Sequence, residues 1–448
     1  MKKLLLGSTA LVAGGLMAAP AMAADPIKIG VGGYYTFYGQ AGYTESSYAL
    51  NGTSIQYRAV SILQEGEIHF IGQTKLDNGT TIGLTVELEG HNPSSAVANA
   101  QIDEAFMFAF GDWGRIELGS RDAGPYRMFY GPPSALIGWG FFNPNHSYQP
   151  AQVANNKAVR SSFGSLTLDP QGQDVQRINY FTPRFAGFQL GVSYAPKINV
   201  APVTLGAAAN GSAGAAGVCG YANATNQANC PTNDYSYQDV VEVGVNYLNK
   251  FGDFTVALFG GYMWATFVPG LNPNAAAANI ATGANATNWR QWVIGGQFGF
   301  AGFTLGASYG WDNNGLGSNY YTGVDNDTRF FGVGIMYETG PWQVSAGWAG
   351  FRNTNGNGSL PFVTTTLGAS GATAGAPASS SAAFGGNPSA GALSFGQESA
   401  DKFEVGANYA LGPGVKLTGG AVYHIFSGPS ALVAGQAWTV LLGVDFRF

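Results

Sequence analysis

Residues 437–448 read Ala-Trp-Thr-Val-Leu-Leu-Gly-Val-Asp-Phe-Arg-Phe. Trp438, Val440, Leu442, Val444, Phe446 and Phe448 take every second position, with Thr439, Leu441, Gly443, Asp445 and Arg447 between them. A β-strand sends successive side chains to opposite faces, so this segment has one wholly apolar face and one mixed, charged face. In a soluble protein the apolar face would pack on a core. About a dozen residues are also enough for a tilted strand to cross a bilayer, and it is this length that favours lipid over a core.

The remaining composition agrees. Only 10% of residues are charged, against 67 Gly, 22 Tyr and 29 Phe; a soluble domain carries roughly a quarter. No run after residue 23 reaches the roughly 18 apolar residues of a membrane helix. Backbone groups in lipid are then satisfied only by strands in a sheet that closes on itself.

Residues 1–23 have the pattern of a secretory signal: Lys2 and Lys3, an apolar run from Leu4 to Met17, and Ala21-Met22-Ala23 as the cleavage motif. Ala24 is the expected mature N-terminus, and residues 24–448 are the expected barrel domain. Cleavage would take the formal charge from −6 to −8, with 18 basic against 26 acidic residues. That acidity argues against a nucleic-acid partner. Cys219 and Cys230, close together in a Gly/Ala/Asn-rich stretch, are expected to form a local disulfide in an exported chain.

Working back from the C-terminus, alternation recurs in pairs of segments joined by short turns. Lys28 to Gln40 forms a first strand, followed by a polar connection to about Ile55. Tyr57 to Leu76 turns at Asp77-Asn78-Gly79, where Asn-Gly accepts positive φ at little cost, and returns through Ile82 to Glu89. Further turns fall at Gly111–Gly114, Pro183–Gly187, Asn249–Asp253, Phe300–Gly302, Gly340–Pro341 and Leu411–Gly414. Seven hairpins with a first and a last strand make about sixteen strands. Long polar connections lie near 120–175, 196–238, 266–289 and 352–400, the last Gly/Ala/Ser-rich and expected to be flexible. The fold class predicted is all-β: a transmembrane antiparallel up-and-down β-barrel with short periplasmic turns and long extracellular loops. Tyr194, Tyr247, Tyr309, Tyr337 and Tyr409 near strand ends fit a headgroup-level aromatic belt.

The succession Asp103-Glu104-Ala105-Phe106, Gly111-Asp112-Trp113-Gly114-Arg115 and Glu117-Leu118-Gly119 resembles the Gram-negative general-porin family. So do Phe181-Thr182-Pro183, Phe185-Ala186-Gly187-Phe188 and Gly191-Val192-Ser193-Tyr194-Ala195-Pro196. The resemblance implies an outer-membrane homotrimer, each barrel a water-filled channel for ions and small hydrophilic solutes, narrowed by an inward-folded third loop. It also implies that Phe448 is read by the barrel-assembly machinery.

In such a channel, function rests on what lines the lumen. Strand parity turns Glu65, Glu67, His69, Lys75, Glu87, Arg115, Glu117, Arg177, Glu242, Glu404 and Lys416 inward; wetting alone accounts for the polarity of most. The third loop maps to 121–175. Its Arg121 to Arg160 portion holds Arg121, Arg127, Lys157 and Arg160 against Asp122 only, a local charge of +3. The family's acidic Pro-Glu-Phe-Gly-Gly loop motif is missing. Set against Glu65, Glu67, Glu87 and Glu89, this predicts a field of reversed polarity, basic loop facing acidic wall. Tyr126, Phe129, Tyr130 and Trp139 in the loop serve either as anchors or as a stacking surface for a sugar.

Gly306-Ala307-Ser308-Tyr309-Gly310 matches a hydrolase nucleophile pattern, but that motif needs a strand-to-helix turn and Ser308 falls inside an alternating strand. A barrel enzyme is therefore the weaker reading, and an envelope tether lacks a separate folded domain. No cofactor or metal signature stands out, and Asp312, Asp325 and Asp327 lack calcium-ligand spacing.

Overall fold

A computed structural model describes residues 26–50, 53–90, 102–138, 167–168, 175–197, 236–268, 288–313, 327–355, 396–427 and 435–448. Residues 1–25, Trp139, Lys157, Arg160, Cys219, Cys230 and residues 356–395 of the Gly/Ala/Ser-rich segment lie outside these.

Sixteen strands close into one antiparallel barrel in which every strand pairs with its sequence neighbours and β1 pairs with β16. The first eight are β1 (Lys28–Leu50), β2 (Thr53–Lys75), β3 (Thr81–Glu89), β4 (Ile102–Gly111), β5 (Gly114–Ser120), β6 (Gln176–Phe181), β7 (Phe188–Lys197) and β8 (Ser236–Phe251). The second eight are β9 (Phe254–Val268), β10 (Trp289–Phe300), β11 (Phe303–Asp312), β12 (Thr328–Thr339), β13 (Trp342–Asn355), β14 (Gly396–Gly412), β15 (Val415–Ser427) and β16 (Gly435–Arg447). Closure is completed by the last residue: Gly33 N–H donates to the Phe448 carbonyl at 3.0 Å and Phe448 N–H to that of Gly33 at 3.1 Å.

The alternation read from residues 437–448 is the one the barrel uses. Leu442 is 72% exposed on the outer face, whereas Asp445 on the inner face is 1% exposed. Ile62, Leu258, Leu305 and Val405 are likewise exposed outward, as a lipid-facing band requires. The tight turns hold left-handed glycines where the hairpin geometry calls for them, among them Gly79 (φ 83°) and Gly302 (φ 83°). Beside these turns, neighbouring strands pack aromatic rings together: Phe254 stacked on Phe300 (4.4 Å between centroids), Phe303 tilted against Tyr337 (4.4 Å), Trp342 edge-on to Tyr409 (4.6 Å) and Phe188 tilted against Tyr247 (4.7 Å). Amphipathic rings at one rim anchor the barrel at the depth where lipid meets water.

The structure departs from the sequence expectation at three places. The polar stretch between residues 41 and 55 is strand rather than connection, with only residues 51–52 between β1 and β2. β1 finds ladder partners on both sides, β16 as far as Ser46↔Gly435 and β2 as far as Leu50↔Thr53, and backbone pairing outweighs a weak side-chain pattern. Residues 352–355 and 396–400, expected in a flexible loop, continue β13 and β14 in register. Finally, the inner face is not uniformly wet. Phe259, Met263, Val293 and Phe330 point inward and form a buried apolar cluster with Met128 and Leu168, both from the segment between β5 and β6.

Candidate pore constriction

That segment leaves β5 and enters the barrel. Asp122 N–H donates to Glu104 Oε1 (2.8 Å), Gly124 N–H to Asn179 Oδ1 (3.0 Å), and Asn179 Nδ2 to the Asp122 carbonyl (2.9 Å). One helical turn, α1 (Gly124–Arg127), begins with Pro125 in its first turn, where a missing N–H costs nothing. The chain then runs along the inner wall. Asn246 of β8 donates to the Met128 carbonyl (3.2 Å), and Gln297 of β10 to that of Gly131 (2.8 Å). Ala135 N–H donates to Ser345 Oγ of β13 (2.8 Å), and Asn408 of β14 donates to the Ala135 carbonyl (3.0 Å). Ser134 Oγ donates to Glu404, and Tyr38 OH of β1 to the Ile137 carbonyl. The returning limb touches the wall at Thr167, whose carbonyl accepts from Gln291 Nε2 (3.2 Å), and at Val175, whose carbonyl accepts from Arg121 N–H (3.3 Å).

The wall makes room by dispensing with side chains. Gly191, Gly244, Gly295, Gly306, Gly334 and Gly406 all take the inward parity of their strands. A Cβ at Gly244 would lie 2.9 Å from Pro125 Cβ, and one at Gly406 2.8 Å from the Leu136 nitrogen. At Gly295 and Gly306 it would collide with the carbonyls of Tyr130 and Gly131. Successive strands thus form a shallow track in which the belt lies against backbone. Phe129 packs edge-on against Phe259 (5.5 Å), and it and Tyr130 rest on the buried cluster.

The charges gather where the belt departs. Arg121 pairs with Glu87 (3.0 Å) and Glu104, while Arg127 pairs with Glu117. Glu117, 1% exposed, also receives Arg115 Nε (2.7 Å) and Asn179 Nδ2 (3.2 Å). Each guanidinium lies over a ring: Arg115 on Phe108 (4.6 Å), Arg121 on Phe106 (4.4 Å) and Arg127 on Phe181 (5.1 Å). Burial, foremost, and the nearby Arg127 charge hold the Arg121 pKa below its ordinary value, against the opposing pull of Glu87 and Asp122.

Arg121, Arg127, Glu87, Arg115 and Glu117 of the sequence-derived set therefore meet, but as contact pairs on the β3–β5 wall rather than as a loop facing a wall across open water. Glu67 lies beside them with His69 at 2.8 Å. Glu65 is exposed on the same strand, and Asp122 holds the belt through its backbone. Lys75 ends β2 next to the turn, and Arg177 is buried in a separate pair with Glu242 (2.9 Å). Ser308 lies inside β11 between Gly295 and Gly332, with no turn to helix around it. Asp312 and Asp327 accept from the indole N–H groups of Trp289 (2.6 Å) and Trp311 (2.8 Å). The belt-holding residues Asn179, Asn246, Gln297, Ser345 and Asn408 were not singled out from sequence. The signal that could have found them is inward-parity glycine on consecutive strands.

A family model described as Gram-negative porin matches residues 7–448. An uncharacterized protein of Rickettsia typhi is 22% identical over 393 residues, 79% of this chain and 88% of its own length. Among solved structures, a loop-L8 deletion mutant of OmpT, an outer membrane protein of Vibrio cholerae, superposes with a TM-score of 0.51 at 10% identity, covering 95% of this chain and 100% of that one. An anion-selective porin from Comamonas acidovorans gives a TM-score of 0.49 at 13% identity, covering 94% and 100% respectively.

Proposed function

The chain belongs to the Gram-negative porin family and is an outer-membrane diffusion channel, and we propose that it passes ions and small hydrophilic solutes sorted by size and charge at the belt of residues 121–138. The observation that carries this reading is the belt's attachment to the inner wall, from Glu104 at one end to Tyr38 at the other. A segment held at that many points subtracts a constant cross-section from the lumen, so the pore left over has a defined width. At its edge, Arg115, Arg121 and Arg127 face Glu87, Glu104 and Glu117. Together these six charges sum to zero, and among the described residues Glu65, Glu67 and Glu89 add negative charge to the same wall. Cations are the expected majority carriers.

The same proposal includes export with removal of residues 1–23, assembly through a C-terminal strand ending in Phe448, a homotrimer in the outer membrane, and a disulfide between Cys219 and Cys230. Detergent-purified protein in a planar bilayer tests its core. Stepwise conductance and a cation-signed reversal potential in a salt gradient are expected, with a shift when Glu67→Lys or Arg127→Glu is introduced. Absence of conductance steps, or a reversal potential that neither substitution moves, overturns it.

A further inference from the structure

We propose that Glu67, His69 and Glu87 form a binding site for a divalent transition-metal ion of the zinc class on the lumen wall. Glu67 and His69 are two apart on β2 and so share its inner face, and His69 is directly opposite Glu87 on β3. Their ligand atoms, one from each residue, all lie within 4.8 Å of one another. His69 Nε2 is 2.8 Å from Glu67 Oε2 and 4.0 Å from Glu87 Oε2. Ligands about 2.0 Å from a tetrahedral ion are about 3.3 Å apart, a value between those two distances. Small rotations of the two carboxylates would bring all three atoms onto one ion.

What lifts this above a group of acids is how the outer oxygens are held. Tyr34 OH donates to Glu67 Oε1 at 2.8 Å, and Arg121 Nη1 donates to Glu87 Oε1 at 3.0 Å. Each carboxylate is thereby turned so that its second oxygen, Oε2, is the one directed at the imidazole. Such outer partners orient ligands at metal sites and strengthen them. Tyr34 also sets its ring edge against His69, 6.3 Å between centroids at 81°. One nitrogen and two carboxylate oxygens suit zinc, nickel, cobalt or copper, whereas calcium and magnesium favour six or more oxygens. Side-chain exposures of 28% for His69, 14% for Glu67 and 10% for Glu87 leave the site reachable from the lumen, with water to complete the coordination. A bound dication would cancel wall charge beside Arg121, so the metal would also tune ion preference.

The test uses the full mature chain in detergent, titrated with Zn²⁺ by calorimetry. One saturable site is expected that Ca²⁺ in large excess does not displace, and that His69→Gln weakens at least tenfold, since loss of even an outer partner of a ligand typically costs about 10–100-fold. On the unaltered protein, Zn²⁺ should slow diethylpyrocarbonate modification of His69 at least tenfold, read by mass spectrometry, which keeps the test valid should His69→Gln fail to fold. Zinc uptake unaffected by His69→Gln, displacement by Ca²⁺ as readily as by Zn²⁺, or unprotected His69 would each overturn the site, whatever the channel's conductance.

Discussion

Asn408, on β14, donates its side-chain N–H to the carbonyl of Ala135 across 3.0 Å, a bond between residues 273 apart in sequence. It is 4% exposed, so the carbonyl has no ready water substitute. Leaving a buried acceptor unsatisfied costs about 1–3 kcal/mol. Asn408→Ala should therefore loosen the belt near Ala135 while leaving the barrel closed. Excess open-channel current noise with unchanged heat-modifiable mobility on gels is the expected outcome.

The glycine track makes a steeper prediction. Gly295→Val and Gly406→Val each place a branched side chain where the belt backbone now lies. Overpacking of this kind costs about 1–3 kcal/mol when neighbours can move, and here the neighbour that can move is the belt. Both variants should displace it toward the lumen axis and lower single-channel conductance. Gly39→Val, whose nearest neighbour to a new Cβ is 3.7 Å away, should leave conductance at the parent value.

Much of this architecture was legible in sequence because a barrel in lipid imposes a period of two everywhere. The strand that ends at Arg447, the Asn78-Gly79 turn and the inward parity of Glu87, Glu117 and Glu404 all follow from that one rule. Parity says which face a residue takes, not how far along the axis it sits or what comes to meet it. Lys75 and Arg177 share the inward parity of their strands, yet one ends a strand and the other is sealed in its own ion pair. Glu104 stands out in the sequence only as part of a family-like motif, although it holds both Asp122 and Arg121. The belt's path was illegible for a related reason: its partners come from strands spread over most of the chain, and no local pattern records which of them are close.

Arg177 and Glu242 form a pair with side-chain exposures of 1% and 0%, and Ser193 accepts a further bond from the same guanidinium at 3.0 Å. Breaking such a pair by removing one partner costs about 3–5 kcal/mol, whereas replacing both with apolar groups is often neutral. Glu242→Leu alone should lower the temperature at which the barrel unfolds on gels. Arg177→Met combined with Glu242→Leu should recover most of that loss. Equal losses in the single and double variants would mean that the pair's surroundings, not its unpaired charge, set the cost.

Glu117 is shared by Arg115 and Arg127, so its charge decides whether those two guanidinium groups present one net positive charge or two. Glu117→Gln keeps the volume and the hydrogen-bonding capacity toward Asn179 but adds one positive charge to the constriction. At about 8 Å in water a unit charge changes an ion's energy by about 0.5 kcal/mol, or about twofold in relative occupancy. Potassium loses what chloride gains, so the potassium-to-chloride permeability ratio should fall by about the square of that factor, roughly fivefold, and more strongly at low salt because screening weakens as the Debye length grows. Combining Glu117→Gln with Arg127→Gln restores the local sum and should return the ratio to its starting value. If Arg127→Gln fails to compensate, the belt has moved on losing Glu117, and a change in conductance accompanying the changed ratio would identify that outcome.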